Sequence, residues 1–161
     1  MSLQELSYLA DVVGVVLIVA SLLYVGRQIR QNTAMMRVSA SNERVQRDTE
    51  LATSISDNQE FAELWAQGGS GFHDLEEVRK IRLIFFERRA IVHWHNMFSL
   101  RSQGLLSDSD WAELTWIIRN LGGRRQSVRE AWKMFRDSFD EPYKEFLDEQ
   151  LTVAQGDSAA R

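Results

Sequence analysis

The sequence predicts an all-α protein whose N-terminal transmembrane helix continues into a long stalk helix and then a small cytoplasmic bundle. Three observations lead there. Residues 12–26 carry no charge and form most of a 21-residue apolar run, 6–26, broken only by Asp11. A membrane span needs about 20 mostly apolar residues. No Gly or Pro occurs from Arg27 to Gln67, so nothing stops a helix where the apolar run ends. Beyond Gln67, helix caps and apolar residues at i, i+3, i+4 recur, and strand-like alternation does not.

The apolar run has no polar face, since Gly14 and Ser21 are small rather than charged. A buried core helix would need a larger core around it than a chain of this size provides. A cleaved signal peptide would open with basic residues, whereas residues 1–26 contain Glu5 and Asp11 and no Lys or Arg. The basic residues follow the run: Arg27, Arg30, Arg37, Arg44 and Arg47. By the positive-inside rule they hold the C-terminal side in the cytoplasm and leave the short acidic N-terminus outside.

Asp11 has two readings. About 7–8 Å inside the apolar edge, at 1.5 Å per residue, it reaches interfacial water and marks the boundary. Alternatively it pairs with a polar group on a neighbouring helix, because an intramembrane carboxylate is costly without a partner. Ala10, Gly14 and Ser21 fall near one helical face, with Ala10 and Gly14 in small-xxx-small spacing that lets backbones approach closely. Ala10, Asp11, Gly14 and Ser21 are therefore the candidate membrane packing residues, and Arg27 and Arg30 the candidate lipid-headgroup contacts.

The stalk spans 27–57. Ala34, Val38, Ser41, Val45, Asp48, Ala52 and Ile55 follow an alternating 4,3 spacing, a narrow seam. Ser41 and Asp48 make it a poor coiled-coil seam, so packing on the chain's own distal helices is favoured over stalk-to-stalk contact. Arg30, Arg37 and Arg44 form a stripe beside it, read as a solvated face.

Residues 58–153 form the helical domain, of about five helices by their start and stop signals. Asn58 caps a short helix that buries Phe61, Leu64 and Trp65, and residues 68–71 end it. Asp74, with Glu77 in capping-box spacing, opens the longest distal helix. Its expected buried face is Val78, Ile81, Ile84, Phe85, Ile91, Val92 and Phe98, and Gly104 stops it. Ser107 with Asp110 caps the next, with Leu106 and Trp111 as a staple and Trp111, Leu114, Ile117, Ile118 and Leu121 buried, up to Gly122 and Gly123. Ser127 with Glu130 caps a helix burying Ala131, Trp132 and Phe135. Pro142 suits the first turn of a last helix carrying Tyr143, Phe146 and Leu147. Residues 154–161 read as a disordered tail.

Charge is unevenly placed behind the net −4. Residues 27–47 hold five Arg against one Glu, and residues 48–161 hold 14 Lys and Arg against 20 Asp and Glu. An acidic distal domain argues against nucleic acid as a partner. With no Cys, disulfides, thiolate catalysis and Cys-type zinc sites are excluded.

No catalytic constellation emerges. His93 and His95 flank Trp94 and point in nearly opposite directions on a helix, so they cannot share a metal there; helical zinc pairs want i, i+4. His73 falls in a loop before a cap. No Glu-x-x-His occurs, as a di-metal carboxylate bundle would need. No nucleophile elbow, dinucleotide fingerprint or Walker loop is present. Neither a cofactor nor a metal is expected. The five Trp are read as core, with His93, Trp94 and His95 as a weak candidate partner surface.

Residues 30–33 (Arg-Gln-Asn-Thr), 58–65 (NQEFAELW), Asn96, 101–106 (RSQGLL), 122–124 (Gly-Gly-Arg) and Phe139 onward together carry a resemblance. In these blocks the chain resembles a widespread family of functionally unassigned bacterial proteins with one N-terminal membrane helix. It departs from that pattern at Gln59, where the family often has Pro, and at His95, where it often has Glu. The resemblance implies a single-pass protein of the bacterial inner membrane and supplies no activity. The leading expectation is a non-enzymatic protein that works through protein contacts, as accessory subunit or scaffold, with membrane lipids and a protein partner. A homo-oligomeric assembly, channel-like or sensory, is the alternative. A third is an enzyme or sensor with a site among Glu87, His93, His95 and Trp132.

Overall fold

The computed structural model describes residues 3–159, which contain six α-helices and no strand. These are α1 Leu3–Ser56, α2 Gln59–Gln67, α3 Glu77–Ser102, α4 Asp108–Ile117, α5 Gln126–Phe135 and α6 Glu141–Ala159. Short 3₁₀ turns lie at Phe72–Asp74 and Arg136–Ser138, and a π-helical turn, Ile118–Gly122, extends α4. The chain divides into two compact units, Met1–Ser39 and Ala40–Arg161.

The first unit holds the apolar part of α1. Within the segment Asp11–Ser56, an 18-residue window reaches a mean hydropathy of 2.0, and α1 is long and apolar enough to cross a membrane. At 1.5 Å per residue, the 21 residues of 6–26 extend about 31 Å, the thickness of a bilayer's hydrocarbon core.

The second unit begins inside the expected stalk. Ala40 is buried, and Leu51 and Ile55 pack against the core. Ser41, Asp48 and Ile55 of the predicted seam are half-buried, whereas Val45 and Ala52 are exposed. Arg44 corrects the solvated-stripe expectation. Its side chain is only 11% exposed, with Nη2 3.0 Å from Asp110 and Nη1 3.0 Å from Glu113 and 3.4 Å from Asp48. Two of these three carboxylates, Asp110 and Glu113, tie this part of α1 to the first turns of α4.

Several caps are as the sequence predicts. Asn58 accepts the Phe61 N–H at 2.9 Å, and Ser107 accepts that of Asp110 at 3.1 Å while donating to its carboxylate. Gly104 adopts φ +69°, the left-handed conformation that ends helices without a Cβ penalty. Pro142 is the second residue of α6. Two predicted caps are not made. α3 starts at Glu77 with no side-chain cap, because Asp74 is taken up in the preceding 3₁₀ turn. The first N–H groups of α5 are satisfied elsewhere: Gln126 donates to the Gly69 carbonyl at 2.9 Å and Ser127 to that of Gly68 at 3.0 Å.

The buried face of α3 also differs. Leu83, Ile84, Phe86, Ile91, Trp94 and Met97 are inside, while Val78 (77%), Phe85 (56%) and Ile81 (48%) are exposed. Ile84 and Ile91 are buried and Phe98 packs on the core as expected, but a charged residue, Glu87, and a histidine, His93, also lie on the inner face, so hydropathy spacing places only part of the stripe. On α4, Leu114 is buried with Ile118 beyond it, and Leu121 is half-exposed because the π turn rotates it outward. α6 runs to Ala159 rather than giving way to a tail at 154, and Ala154 is buried.

Two glycine pairs allow the helices to close up. A Cβ on Gly68 would meet Leu83 Cδ1 at 2.6 Å; one on Gly122 would run into the Trp94 ring, and one on Gly123 would meet the Ala154 Cβ at 2.7 Å. The Gly122–Gly123 step is therefore a packing contact as well as a helix end.

Candidate functional site

Two regions are candidates, and each is described within its own unit. On α1, Asp11 and Ser21 are exposed and Gly14 is half-exposed, with nothing within 4 Å of a Cβ built there. The Ala10 side chain lies outside the described residues. Around them Val12, Val13, Val15, Val16, Leu17, Ile18, Leu22 and Leu23 are each at least half exposed. Arg27 and Arg30 are exposed too, and the Arg30 Nε–H donates back to the Gly26 carbonyl at 3.3 Å. Asp11, Ser21, Arg27 and Arg30 are thus exposed within their unit.

In the second unit the polar interior centres on Glu87. Its Oε1 accepts from Ser127 Oγ at 2.7 Å and from Arg125 Nε at 3.2 Å. Arg125 is itself buried, donates to the Trp65 carbonyl, and stacks with its guanidinium carbon 3.7 Å from the Trp65 ring centroid. Ser127 can serve Glu87 because α5 begins at Gln126, which puts Ser127 inside the helix rather than at its cap and leaves its hydroxyl to the side chain of α3. Burial raises the Glu87 carboxyl above its ordinary value, against the attraction of Arg125 and the Ser127 hydrogen bond. Burial likewise lowers Arg125, with Glu87 opposing.

A cleft of about 300 Å³ opens beside this pair, walled by Leu51, Ile55, Trp65, Trp94, Ile117 and Val128. The remaining residues suggested for an active site are dispersed. His93 is buried with Nε2 3.2 Å from Asp48 Oδ1, off the line of a hydrogen bond. His95 points the other way, 2.6 Å from Asp140 Oδ2. Trp132 donates to Asp148 at 2.7 Å, a carboxylate that also takes Arg136. The histidines thus face two different carboxylates, in keeping with their i, i+2 spacing. Among the described residues no group of three or more His, Asp or Glu is placed to hold a metal.

Asp140 is held below its ordinary value, first by the His95 hydrogen bond and then by the Tyr143 N–H. Asp148 is raised by burial, but hydrogen bonds from Arg136 and Trp132 outweigh this and lower it. Tyr143, fully buried, donates to the Ile91 carbonyl at 2.9 Å, and burial followed by nearby Asp140 pushes its phenol well up. It sits among His95, Phe98, Trp132, Phe139 and Phe146, with ring centroids 4.7–6.2 Å away. Trp94 and Trp132 are core, as expected of the tryptophans, whereas Trp116 is 57% exposed.

The sequence did not reveal the Glu87–Arg125–Ser127 cluster. Its only available signal was a Glu inside the apolar stripe of α3, and Ser127 read as a cap.

Comparison of the chain with protein-family models, with curated proteins and with solved structures found no match.

Proposed function

We propose that this is a non-enzymatic, single-pass protein of the bacterial inner membrane that acts through protein contacts, as accessory subunit or scaffold of a membrane complex. The observation that carries the proposal is the exposure of α1. None of its most apolar window is buried in the chain, so the hydrophobic surface must be covered by lipid or by other helices. A core helix of a soluble protein would be covered by its own domain. The basic residues that follow the window, and the lack of any before it, support an uncleaved anchor with its N-terminus outside. Asp11 beside Gly14 and Ser21 supports a helix partner, because a carboxylate at that depth gains from pairing. The bacterial inner membrane is what the family resemblance implies.

The absence of cysteine makes a clean test possible. Single cysteines replace Ser2 and the exposed Met134, and intact cells are treated with an impermeant maleimide. Ser2→Cys is expected to label and Met134→Cys only after lysis, with both resisting alkaline extraction from membranes. The reverse labelling, or release of the protein by alkali, contradicts the proposal.

Homo-oligomerisation through α1 is a second reading, favoured by the exposure of Val38 (61%) and Val45 (54%). Cysteines at both positions should crosslink between chains; silence at both opposes it.

A further inference from the structure

We propose that the cleft between α1 and α3 in the second unit binds a small phosphoryl-bearing dianion. The cleft has a volume of about 260 Å³ and is lined by Arg47, Glu50, Arg88, Arg89, His93 and Asn96. Ligand sites for drug-sized molecules run from about 300 Å³ upward, so this one suits a small ion or a phosphate monoester.

Charge identifies the class. The unit as a whole is acidic, yet three arginines meet here against one glutamate. Arg47 is answered by Glu50 at 3.0 Å. Arg88 and Arg89 make no close ion pair among the described residues, Arg89 attracting Glu50 only at longer range; their guanidinium carbons lie over the Phe135 and Phe86 rings at 4.9 and 5.8 Å. Two positive charges are thus left over, which one phosphoryl dianion balances. Arginine is the residue best suited to that task, because its planar fork matches phosphate oxygens two at a time.

His93 provides the second observation. It is 94% buried by its 6% exposure, it lines the cleft, and its Nε2 has no hydrogen-bond partner. A buried ring nitrogen without a hydrogen bond is costly. The acceptor nearest His93 Nε2, Asp48 Oδ1, is 3.2 Å away but off the line of a hydrogen bond, and a phosphoryl oxygen in the cleft would offer the ring an aligned partner. Asn96 is exposed at the rim and adds an amide donor. The ligand's phosphoryl group comes either from a free metabolite or from a lipid headgroup, and the small volume favours the free anion.

The test is calorimetric titration of pyrophosphate and inorganic phosphate into the full-length protein, held in phosphatidylcholine nanodiscs in a buffer without phosphate. Saturable binding is expected, weakened at least tenfold in Arg88→Gln/Arg89→Gln, whose side chains are exposed. Arg101→Gln, on the same helix and away from the cleft, should bind as the wild type does. Absence of saturable binding by either anion overturns the proposal. Equal weakening by Arg101→Gln does so as well, since it would show diffuse charge attraction. Repeating the titration in discs containing phosphatidic acid, whose headgroup is a phosphomonoester, separates the sources. Unchanged affinity supports a free anion, and competitive loss overturns that source in favour of a headgroup.

Discussion

Ser127 donates its hydroxyl to Glu87 Oε1 at 2.7 Å, linking the first turn of α5 to the middle of α3. Beside it, the carbonyls of Gly68 and Gly69 accept the Ser127 and Gln126 amides and hold the start of α5 in place. Arg125 shares the same carboxylate oxygen and stacks on Trp65, so α2, α3 and α5 meet at one buried ion pair.

That junction predicts an asymmetric mutational response. Arg125→Met leaves Glu87 buried without its cation and should cost about 3–5 kcal/mol, whereas the double variant Glu87→Met/Arg125→Met should recover most of the loss. Thermal unfolding of the full-length protein in detergent, followed by circular dichroism, checks the order. Equal stability of the single and double variants would contradict it.

The pH dependence carries two opposite signs. Glu87 is raised on folding, so its contribution falls as pH rises above the ordinary carboxylate value of 4.5. Asp148 is lowered, so its contribution is present above 3.8 and is lost as pH falls through its depressed folded value. Glu87→Gln should therefore flatten the decline on the side above 4.5, and Asp148→Asn should flatten the loss on the acid side. Melting temperatures of both variants between pH 2 and 8 provide the check.

Gly122 should tolerate no side chain. In a helix Ala normally gains up to about 1 kcal/mol over Gly, but here a Cβ meets the Trp94 ring, and overpacking of this kind costs about 1–3 kcal/mol. Gly122→Ala is expected to lower the melting temperature and quench or shift tryptophan fluorescence. Gly156→Ala, inside α6 with open space around it, should leave the fluorescence unchanged and raise the melting temperature slightly.

Tyr143→Phe removes a buried donor from the Ile91 carbonyl at a cost of about 1 kcal/mol. In the wild type, spectrophotometric titration should find one tyrosine that ionises only well above pH 10, a signal that this variant lacks.

Much of this fold was legible because caps and helix stops are local chemistry. Asn58, Ser107, Gly104 and Pro142 act where their positions predict. The inner face of α3 was not, because the ordinary rule that charge lies outside fails at Glu87, whose partner is 38 residues away in sequence. Arg44 misled for the same reason: its regular spacing with Arg30 and Arg37 marks a stripe, while Asp110 and Glu113 are contributed by a distant helix. Residues 154–159 have a tail-like composition, yet Ala154 packs beside Gly123 because two glycines leave room for it. Of the candidate sites, the α1 residues were visible as pattern. The Arg88–Arg89 cleft needed the apposition of two helices.

The proposed role requires α1 to make protein contacts within a membrane. Native mass spectrometry of the full-length protein, extracted in mild detergent, tests this directly when the wild type is compared with Gly14→Leu and Val16→Leu. A defined complex that survives Val16→Leu and is lost in Gly14→Leu is the predicted result. A strictly monomeric species in all three, with no copurifying partner, would contradict it.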